Sequence, residues 1–355
     1  MNAINTIRNF QITGNPIAAE PFGHGHINRT YKVTTDGSCA YILQQINKYV
    51  FTNPPQLMEN ASRVTNHIRA KGQKALHFIP SADGSYCYQD EAGEYWRCYE
   101  FVEGFSMDAP ETPEDFYQSA LAFGQFQDQL SDFPADTLYE TIPNFHNTPD
   151  RLRQLKETIA ADPIGRLSSA QKEVEFYLAN EAMGCRLQQM LEAGEIPLRV
   201  THNDTKLNNV LLDNDIHKPL CVLDLDTVMP GLSVNDFGDS IRFGAATAAE
   251  DEPDASKMKL DMELFRVYAK GYLEAAPALT DAEVKAMPLG AFTMTLECGS
   301  RFLKDYLEGD KYFRIAYPEH NLVRCRTQMA MCADMLAHWD EMNAVIQQVA
   351  REVRG

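Results

Sequence analysis

The sequence predicts an α+β fold with two lobes, a small β-rich lobe over residues 1–103 and a larger, mostly helical lobe over residues 104–355. Up to about Phe101, short runs of β-branched and aromatic residues alternate with turn residues, which is typical of a small sheet. Beyond Gly104, apolar residues recur at helical spacing behind helix-start signals. With 355 residues, 44% of them hydrophobic, the chain is long enough to bury a sizeable core in such a bilobal unit.

The small lobe should contain antiparallel strand pairs. Residues 30–35 and 40–46 are β-rich and flank an Asp-Gly turn, which is a hairpin signature. A second pair is predicted over residues 85–88 and 94–102, and an amphipathic helix is predicted over residues 55–71. The lobe is therefore expected to be a sheet accompanied by one helix.

The large lobe should begin its helices at identifiable caps. Thr112 precedes a proline in the first turn of a predicted helix, and Thr148 opens another in the same way. Thr280 and Glu283 have the spacing of a capping box. Residues 322–349 place methionines and other apolar side chains at helical spacing, which predicts one long closing helix packed on the core.

Two acidic motifs follow one another in the large lobe. The run HNDTKLNN at residues 202–209 is followed by a second run, LDLD, and both lie among apolar β-like segments. Phosphoryl transfer requires a carboxylate to accept the proton of the acceptor hydroxyl, oxygen ligands for magnesium and a cation near the transferred phosphate. In the pattern H-x-D-x-K-x-x-N, Asp204 is the candidate base, Lys206 the cation and Asn209 a metal ligand, with Asp224 as the next metal ligand. The two motifs together predict a kinase site.

An upstream run, FGHGHINRTYKV, approximates the glycine-rich loop G-x-G-x-x-G-x-V. Gly23 and Gly25 are its glycines, and Asn28 stands at the third glycine position. Glycines allow backbone amides to approach phosphate oxygens closely, so these three residues are candidates for nucleotide binding. The competing interpretation is an ordinary hairpin. For His24 and His26 two interpretations stay open: they face the acceptor or the phosphates, or they are solvated loop residues.

The nucleotide side departs from protein kinases at one position. Gln44 stands where protein kinases have the lysine of V-A-I-K, which binds the phosphates. Because glutamine is uncharged, the phosphate charge must be neutralised by magnesium, by the lysine of the H-x-D-x-K motif or by backbone amides. Lys48 is interpreted as a surface lysine, and Glu59 occupies the place of the helix glutamate that would pair with the missing lysine. The strand exit at Glu100 and Val102 is the candidate partner for an adenine edge.

Composition narrows the class of protein. The net charge of −18 argues against a nucleic-acid partner. The eight cysteines lack a C-x-x-C spacing, which favours reduced thiols over a zinc site or a disulfide framework. Because the sequence shows neither a long apolar segment nor a signal peptide, we expect a cytoplasmic protein without a membrane partner. We also expect a monomer.

Together these motifs resemble the aminoglycoside phosphotransferase and choline kinase superfamily of small-molecule kinases. The resemblance depends on the glycine loop and on the blocks HNDTKLNN, LDLDTVMPG and DFGDSIRFGA. With RFLKDYLEGD added, the chain more closely resembles the bacterial N-acetylhexosamine 1-kinases, from about Glu20 to Gln328. The resemblance implies a bilobal protein-kinase-like fold with ATP and Mg²⁺ as cofactors. It also implies transfer of the γ-phosphoryl group to the anomeric hydroxyl of N-acetylglucosamine or N-acetylgalactosamine.

The resemblance also implies roles for individual residues. Asp204 would accept the proton, while Asn209 and Asp224 would hold magnesium. Asp226 would support either a second metal position or the loop itself, and Asp236 would brace the loop through buried hydrogen bonds. The residues implied to contact the sugar are Asp204, Phe243 and Arg301, with Arg242, Asp239 and Tyr312 as further candidates.

Two alternatives remain open at the level of sequence. The first is a kinase for another small hydroxyl acceptor, such as an aminoglycoside, choline, homoserine or a neutral hexose. The excess of acid favours cationic acceptors, whereas Arg301 as a ligand opposes them. The second is a nucleotide-binding pseudokinase, which Gln44 supports and the intact acidic motifs oppose.

Overall fold

A computed structural model describes residues 3–23 and 27–355. Three residues of the predicted glycine loop, His24, Gly25 and His26, lie outside the described residues. The chain forms two compact units, and the predicted lobe boundary after residue 103 stays a prediction. The first unit comprises Met1–Ser106, Gln129–Pro143 and Asn209–Pro230, and the second comprises Met107–Asp128, Asn144–Asn208 and Gly231–Gly355.

The first unit contains an antiparallel six-stranded sheet. Its strands are β1 (Pro16–Pro21), β2 (Arg29–Thr35), β3 (Ala40–Ile46), β4 (Phe78–Ile79), β5 (Tyr88–Gln89) and β6 (Tyr95–Glu100). Their order is β1-β2-β3-β6-β4, and β5 pairs with β6. The hairpin predicted over residues 30–35 and 40–46 is confirmed as β2 and β3. The register places Gln44 of β3 directly opposite Arg97 of β6.

One predicted strand is largely wrong. Residues 85–87 form a turn, because the carbonyl oxygen of Ser85 accepts hydrogen bonds from both the amide and the hydroxyl of Ser81, each at 2.7 Å. Only Tyr88 and Gln89 continue into the sheet. Local side-chain hydrogen bonds of this kind compete with strand pairing and are weakly encoded in apolar patterns.

Two helices accompany the sheet, α1 (Ala3–Ile7) and α2 (Pro54–Ala70). The helix predicted over residues 55–71 is confirmed as α2, which is capped by the side chain of Asn53. The buried Asn60 of α2 donates hydrogen bonds to the carbonyl oxygens of Tyr139 at 2.7 Å and Val228 at 3.0 Å. These bonds attach the two later segments of the unit to α2.

A short hairpin of β8 (Val210–Leu212) and β9 (Pro219–Val222) completes the first unit. Phe105 exchanges backbone hydrogen bonds with Leu212 at 3.0 and 2.8 Å. A Cβ atom at Gly104 would lie 2.5 Å from the carbonyl oxygen of Leu212, so glycine is required where the chain passes this hairpin.

The second unit is mostly helical. Its helices are α3 (Pro113–Gln129), α4 (Thr148–Ala161), α5 (Gln171–Ala179), α6 (Glu181–Gly184), α7 (Arg186–Glu192), α8 (Ser233–Gly244), α9 (Met262–Ala275), α10 (Asp281–Glu308), α11 (His320–Ala337) and α12 (Trp339–Arg354). The short strand β7 (Arg199–Thr201) also lies in the second unit, while β10 (Met229–Gly231) begins in the last segment of the first unit and ends at Gly231 of the second. A helix with the length and apolar character needed to cross a bilayer does not occur in residues 3–23 or 27–355. The sheet in the N-terminal part and the helices in the C-terminal part confirm the predicted α+β class.

The long helix α10 is the centre of the second unit and packs against α4, α8 and α11. Its capping box, formed by Thr280 and Glu283, is confirmed. A Cβ atom at Gly238 of α8 would overlap the backbone of Gly290 on α10, so two glycines allow these helices to approach closely. This contact fixes α8, whose acidic side chains line the Asp204 region described below.

The single closing helix predicted over residues 322–349 is wrong in one respect. It is interrupted at His338, which has φ −105° and ψ 20° and separates α11 from α12. The imidazole Nδ1 of His338 lies 2.9 Å from the carbonyl oxygen of Asp334, so the side chain competes for an acceptor of the last helical turn. Met335 and Met342, on either side of the break, are buried as predicted.

Candidate functional site

The second unit holds the Asp204 loop, residues 202–206, between β7 and a short 3₁₀ turn. The carboxylate of Asp236 at the start of α8 accepts hydrogen bonds from the amides of His202 at 2.9 Å and Asn203 at 2.8 Å. Gln127 of α3 donates a third bond to it at 2.8 Å. Burial raises the pKa of Asp236, and the three donors limit that rise. The predicted bracing role of Asp236 is confirmed by these bonds.

Backbone conformation contributes to the shape of this loop. Asn203 has φ +64°, in the left-handed region that asparagine tolerates better than most residues. The backbone of Asn203, just before Asp204, is thus locally unfavourable, and the buried hydrogen bonds to Asp236 maintain it.

Asp204 and Lys206 form an ion pair on the loop, with Nζ of Lys206 2.9 Å from Oδ1 of Asp204. Their side chains remain 29% and 35% exposed, so both can reach a substrate. Burial acts to lower the pKa of Lys206, but the charges of Asp204 and Asp239 outweigh it and raise that pKa. Lys206 is therefore a cation at neutral pH.

Asp239 and Arg242 of α8 form a buried pair beside the same loop. Asp239 accepts hydrogen bonds from the Thr205 amide at 3.1 Å and from Arg242 at 3.1 and 3.2 Å. Arg242 also donates to Glu250 at 2.9 Å. Burial raises the pKa of Asp239, but the Arg242 and Lys206 charges outweigh it and hold that pKa below its usual range. Both members of the pair are engaged within the protein, while Phe243, the next residue of α8, is half-buried.

A second buried pair, which the sequence did not indicate, joins α10 to the Asp204 loop. Nδ1 of His146 lies 2.8 Å from Oε1 of Glu297, and its Nε2 lies 3.1 Å from the carbonyl oxygen of Asn203. Thr148 donates to the other oxygen of Glu297 at 2.6 Å. The His146 ring thereby connects the residue before Asp204 with α10.

Arg301 lies one turn beyond Glu297 on α10. Its guanidinium is 5.7 Å from the ring centroid of Tyr312 and 5.4 Å from that of Phe313. Arg151 of α4 is close enough that burial and the Arg301 charge together lower its pKa. The predicted contact residues Arg301 and Tyr312 are thus adjacent, and Arg151 adds a second guanidinium that sequence reasoning missed. We call Arg151 and Arg301 the arginine pair.

The first unit places the predicted metal ligands Asn209 and Asp224 at one end of the β8–β9 hairpin. The amide of Leu223 donates to the carbonyl oxygen of Asn209 at 2.7 Å, which brings the residue before Asp224 beside Asn209. Asp224 has φ +52° and precedes a 3₁₀ turn over Leu225–Thr227. An amide oxygen and a carboxylate are suitable donors for a hard cation such as Mg²⁺. In the described residues, no cluster of three or more His, Cys, Asp or Glu side chains is arranged to hold a metal.

Asp226, the second acid of the LDLD run, is fully engaged within the first unit. One of its oxygens accepts from Nη1 of Arg97 and the other from Nδ2 of Asn28 at 2.7 Å. Both members of the Arg97–Asp226 ion pair are 3% exposed. Oδ1 of Asn28 in turn accepts from the amide of Asn47 at 2.9 Å. These contacts give Asn28 and Asp226 structural partners, while their predicted roles in nucleotide and metal binding stay predictions.

Gln44 connects the same cluster to the sheet. Its Nε2 donates to Thr30 at 2.8 Å, and its Oε1 accepts from Nε of Arg97 at 2.8 Å. Lys48 lies in an ion pair with Glu94 at 2.9 Å, which supports its interpretation as a surface lysine. Arg97 is therefore the buried cation beside Gln44.

The other predicted nucleotide contacts that the structure describes lie at or near the ends of strands. Gly23 has φ +78°, a conformation that favours glycine. Gly25 lies outside the described residues. Glu100 ends β6, with its amide donating to the His77 carbonyl at 3.0 Å, and Val102 follows in irregular chain.

Comparisons with known proteins agree with this arrangement. The model of the phosphotransferase enzyme family matches residues 18–277. Among solved structures, a microcompartment-associated aminopropanol kinase is 16% identical, covers 96% of this chain and 98% of its own, and has a TM-score of 0.63. An amicoumacin kinase in complex with AMP-PNP, Ca²⁺ and its ligand is 14% identical, with coverage of 88% and 87% and a TM-score of 0.59. Choline kinase from Cryptosporidium parvum Iowa II is 14% identical, with coverage of 97% and 98% and a TM-score of 0.58.

The low identities mean that these structures establish the fold, while the family match covers more than half of the chain. A kinase-like fold, an anchored loop with a partly exposed aspartate and lysine, and the family match lead to the same conclusion. The chain belongs to the phosphotransferase enzyme family.

Proposed function

We propose that the protein is an ATP- and Mg²⁺-dependent kinase that phosphorylates N-acetylglucosamine or N-acetylgalactosamine at the anomeric hydroxyl. The observation that supports it most is the Asp204 loop. Its backbone is fixed by Asp236, and its Asp204 and Lys206 side chains are partly exposed and form an ion pair. A fixed carboxylate beside a cation suits proton acceptance from a hydroxyl that attacks phosphate.

In the proposed reaction, Asp204 accepts the proton of the anomeric hydroxyl, and Lys206 neutralises charge on the transferred phosphoryl group. Asn209 and Asp224 would hold magnesium, which would neutralise phosphate charge when bound. Asp226 supports the Asp224 turn, since both of its oxygens already have partners. Gly23 and Asn28 cover the phosphates, while Glu100 and Val102 contact adenine.

The arginine pair supports an uncharged, oxygen-rich acceptor. Burial and the Arg301 charge lower the pKa of Arg151, and two neighbouring guanidinium groups form a poor environment for an ammonium group. Hydroxyl and N-acetyl carbonyl oxygens, by contrast, accept hydrogen bonds from arginine. Phe243 supplies an apolar surface for the sugar ring, and Tyr312 and the Asp239–Arg242 pair border the same acceptor. This charge distribution favours N-acetylhexosamines over choline and aminoglycosides, despite the acidic composition of the whole chain.

An acceptor screen tests the proposal. ADP release from Mg²⁺-ATP should be measured with N-acetylglucosamine, N-acetylgalactosamine, neutral hexoses, homoserine, choline and an aminoglycoside. We expect the highest kcat/KM with an N-acetylhexosamine and negligible turnover with the cationic acceptors. A clear preference for a cationic acceptor would overturn the sugar assignment. Binding of Mg²⁺-ATP without turnover on any acceptor would instead favour the pseudokinase alternative.

A further inference from the structure

The Arg97–Asp226 pair is a buried cation and anion for which the proposed reaction has no direct use. Each side chain is 3% exposed, and the pair joins β6 to the turn that follows Asp224. Removing two charges from water is costly, so a buried pair of this kind is often no more stabilising than apolar residues of similar volume. Its presence in the first unit therefore suggests a task other than stability.

The position of Arg97 defines that task. Arg97 lies directly across the β3–β6 ladder from Gln44, and Gln44 accepts a hydrogen bond from its Nε. Gln44 stands where the strand lysine of a protein kinase would be. The adjacent strand β6 thus carries, on Arg97, the positive charge that β3 lacks. The hydrogen bond to Gln44 fixes the orientation of the Arg97 side chain.

The charge of Arg97 also acts on Asp224. Burial acts to lower the pKa of Arg97, but the Asp226 carboxylate and smaller contributions, one of them from the charge of Asp224, outweigh it and raise that pKa. Asp224 itself has a left-handed φ of +52°, a conformation that neighbouring contacts must maintain. Asp226 lies two residues further on and is held from both sides by Arg97 and Asn28.

We propose that Arg97 is a positioning residue for Asp224. Its guanidinium replaces the cation that is missing at the Gln44 position and holds the Asp224–Asp226 turn through Asp226. In this way Arg97 sets the affinity for Mg²⁺-ATP. This inference rests on the proposed use of Mg²⁺-ATP by the protein. Residues that orient metal ligands typically change metal affinity or activity by about 10- to 100-fold when they are replaced.

A comparison of variants separates positioning from simple structural support. Arg97→Met alone leaves a buried, unpaired Asp226 and is expected to destabilise the fold, so it cannot decide the question. The double variant Arg97→Met/Asp226→Asn removes both charges and should recover most of the thermal stability. Lys48→Met removes a cation of the same unit from a partly exposed ion pair with Glu94 and is the matched control.

Calorimetry should measure the dissociation constant of ATP with Mg²⁺ and with EDTA for each variant. We expect the double variant to regain stability but to bind Mg²⁺-ATP about 10- to 100-fold more weakly, with a smaller change in EDTA. The Mg²⁺-ATP affinity of Arg97→Lys, which keeps the charge, should lie between the affinities of the double variant and wild type. The affinity of Lys48→Met should match that of wild type. A double variant that recovers both stability and wild-type Mg²⁺-ATP affinity would overturn the positioning role. Failure of the wild-type protein to bind Mg²⁺-ATP would instead contradict the proposed function.

Discussion

Nζ of Lys206 lies 2.9 Å from Oδ1 of Asp204, so the proposed base and the proposed cation neutralise each other on one loop. The pair explains how a lysine can remain charged in a partly enclosed position. It also means that the carboxylate is held by a neighbour on its own loop before any acceptor binds. An acceptor hydroxyl that approaches Asp204 therefore meets a fixed carboxylate.

Replacing Asp204 with asparagine should lower turnover by about 10²- to 10⁴-fold, the usual contribution of a positioned general base. The shape of the side chain is nearly preserved, so the melting temperature and the affinity for Mg²⁺-ATP should change little. Asp215→Asn, at an exposed turn of the β8–β9 hairpin, is the matched control and should retain wild-type turnover. Steady-state kinetics measures this effect. Near-normal turnover of Asp204→Asn would show that Asp204 is not the general base.

Asp224→Ala should abolish the magnesium-linked part of ATP binding, because the carboxylate is one of only two protein ligands proposed for the ion. Activity should be lost at every sugar concentration. Calorimetric titration of ATP with and without Mg²⁺ measures this effect. If magnesium strengthened ATP binding as much in the variant as in wild type, the assignment of Asp224 would be wrong.

Arg301→Ala should raise the KM for the sugar much more than the KM for ATP. The loss of a charged hydrogen-bond donor to a buried hydroxyl costs roughly 1.5 to 3 kcal/mol, or a factor of about 10 to 150. Lys304→Ala removes a cation one turn further along α10 from its pair with Glu308 and serves as the control. An equal rise in both Michaelis constants would indicate a general defect of the fold.

The His146–Glu297 pair predicts a specific dependence of stability on pH. Burial acts to lower the pKa of His146, but the Glu297 carboxylate outweighs it and raises that pKa, so the charged imidazole favours the folded state. This contribution is complete below the ordinary histidine value near 6.5 and disappears as the pH rises through the raised folded-state value. The pKa of Glu297 is lowered, so its contribution is present above the ordinary value near 4.5 and is lost as the pH falls through the lowered value.

His146→Gln should therefore flatten the decrease in unfolding free energy that wild type shows as the pH rises above about 6.5. Urea unfolding between about pH 6 and pH 9 provides the measurement. His338→Gln, which changes a histidine with a more exposed side chain, is the control. Parallel pH profiles for wild type and His146→Gln would show that the pair does not titrate as described.

The residues that sequence analysis identified share one property, which is that their signals are local. The β2–β3 hairpin, the Thr280 capping box and the H-x-D-x-K run each depend on residues close in sequence, and the first two are confirmed. Asp236 was found only through a family block, yet its bonds to His202 and Asn203 are present.

The residues that were missed act over long sequence separations. Arg97 and Asp226 are 129 positions apart, and His146 and Glu297 are 151 apart, so each pair exists only once the register and packing are known. One signal was available for Arg97. A charged residue between Trp96 and Cys98 in an apolar strand is unusual, because charges are rarely buried without a partner. Arg151 and His146 offered no comparable signal in the sequence.

The site of phosphorylation tests the proposed function most directly. The anomeric hydroxyl is more acidic than the other sugar hydroxyls because the ring oxygen withdraws electrons, so a carboxylate within hydrogen-bond reach can assist its attack. Phosphorus NMR of the product formed from an N-acetylhexosamine measures which hydroxyl has reacted. We expect the phosphorus to couple to the anomeric proton while reducing-sugar reactivity disappears as ADP forms. A phosphorylated product that keeps a free reducing end would contradict the 1-kinase assignment and leave the phosphotransferase family membership intact.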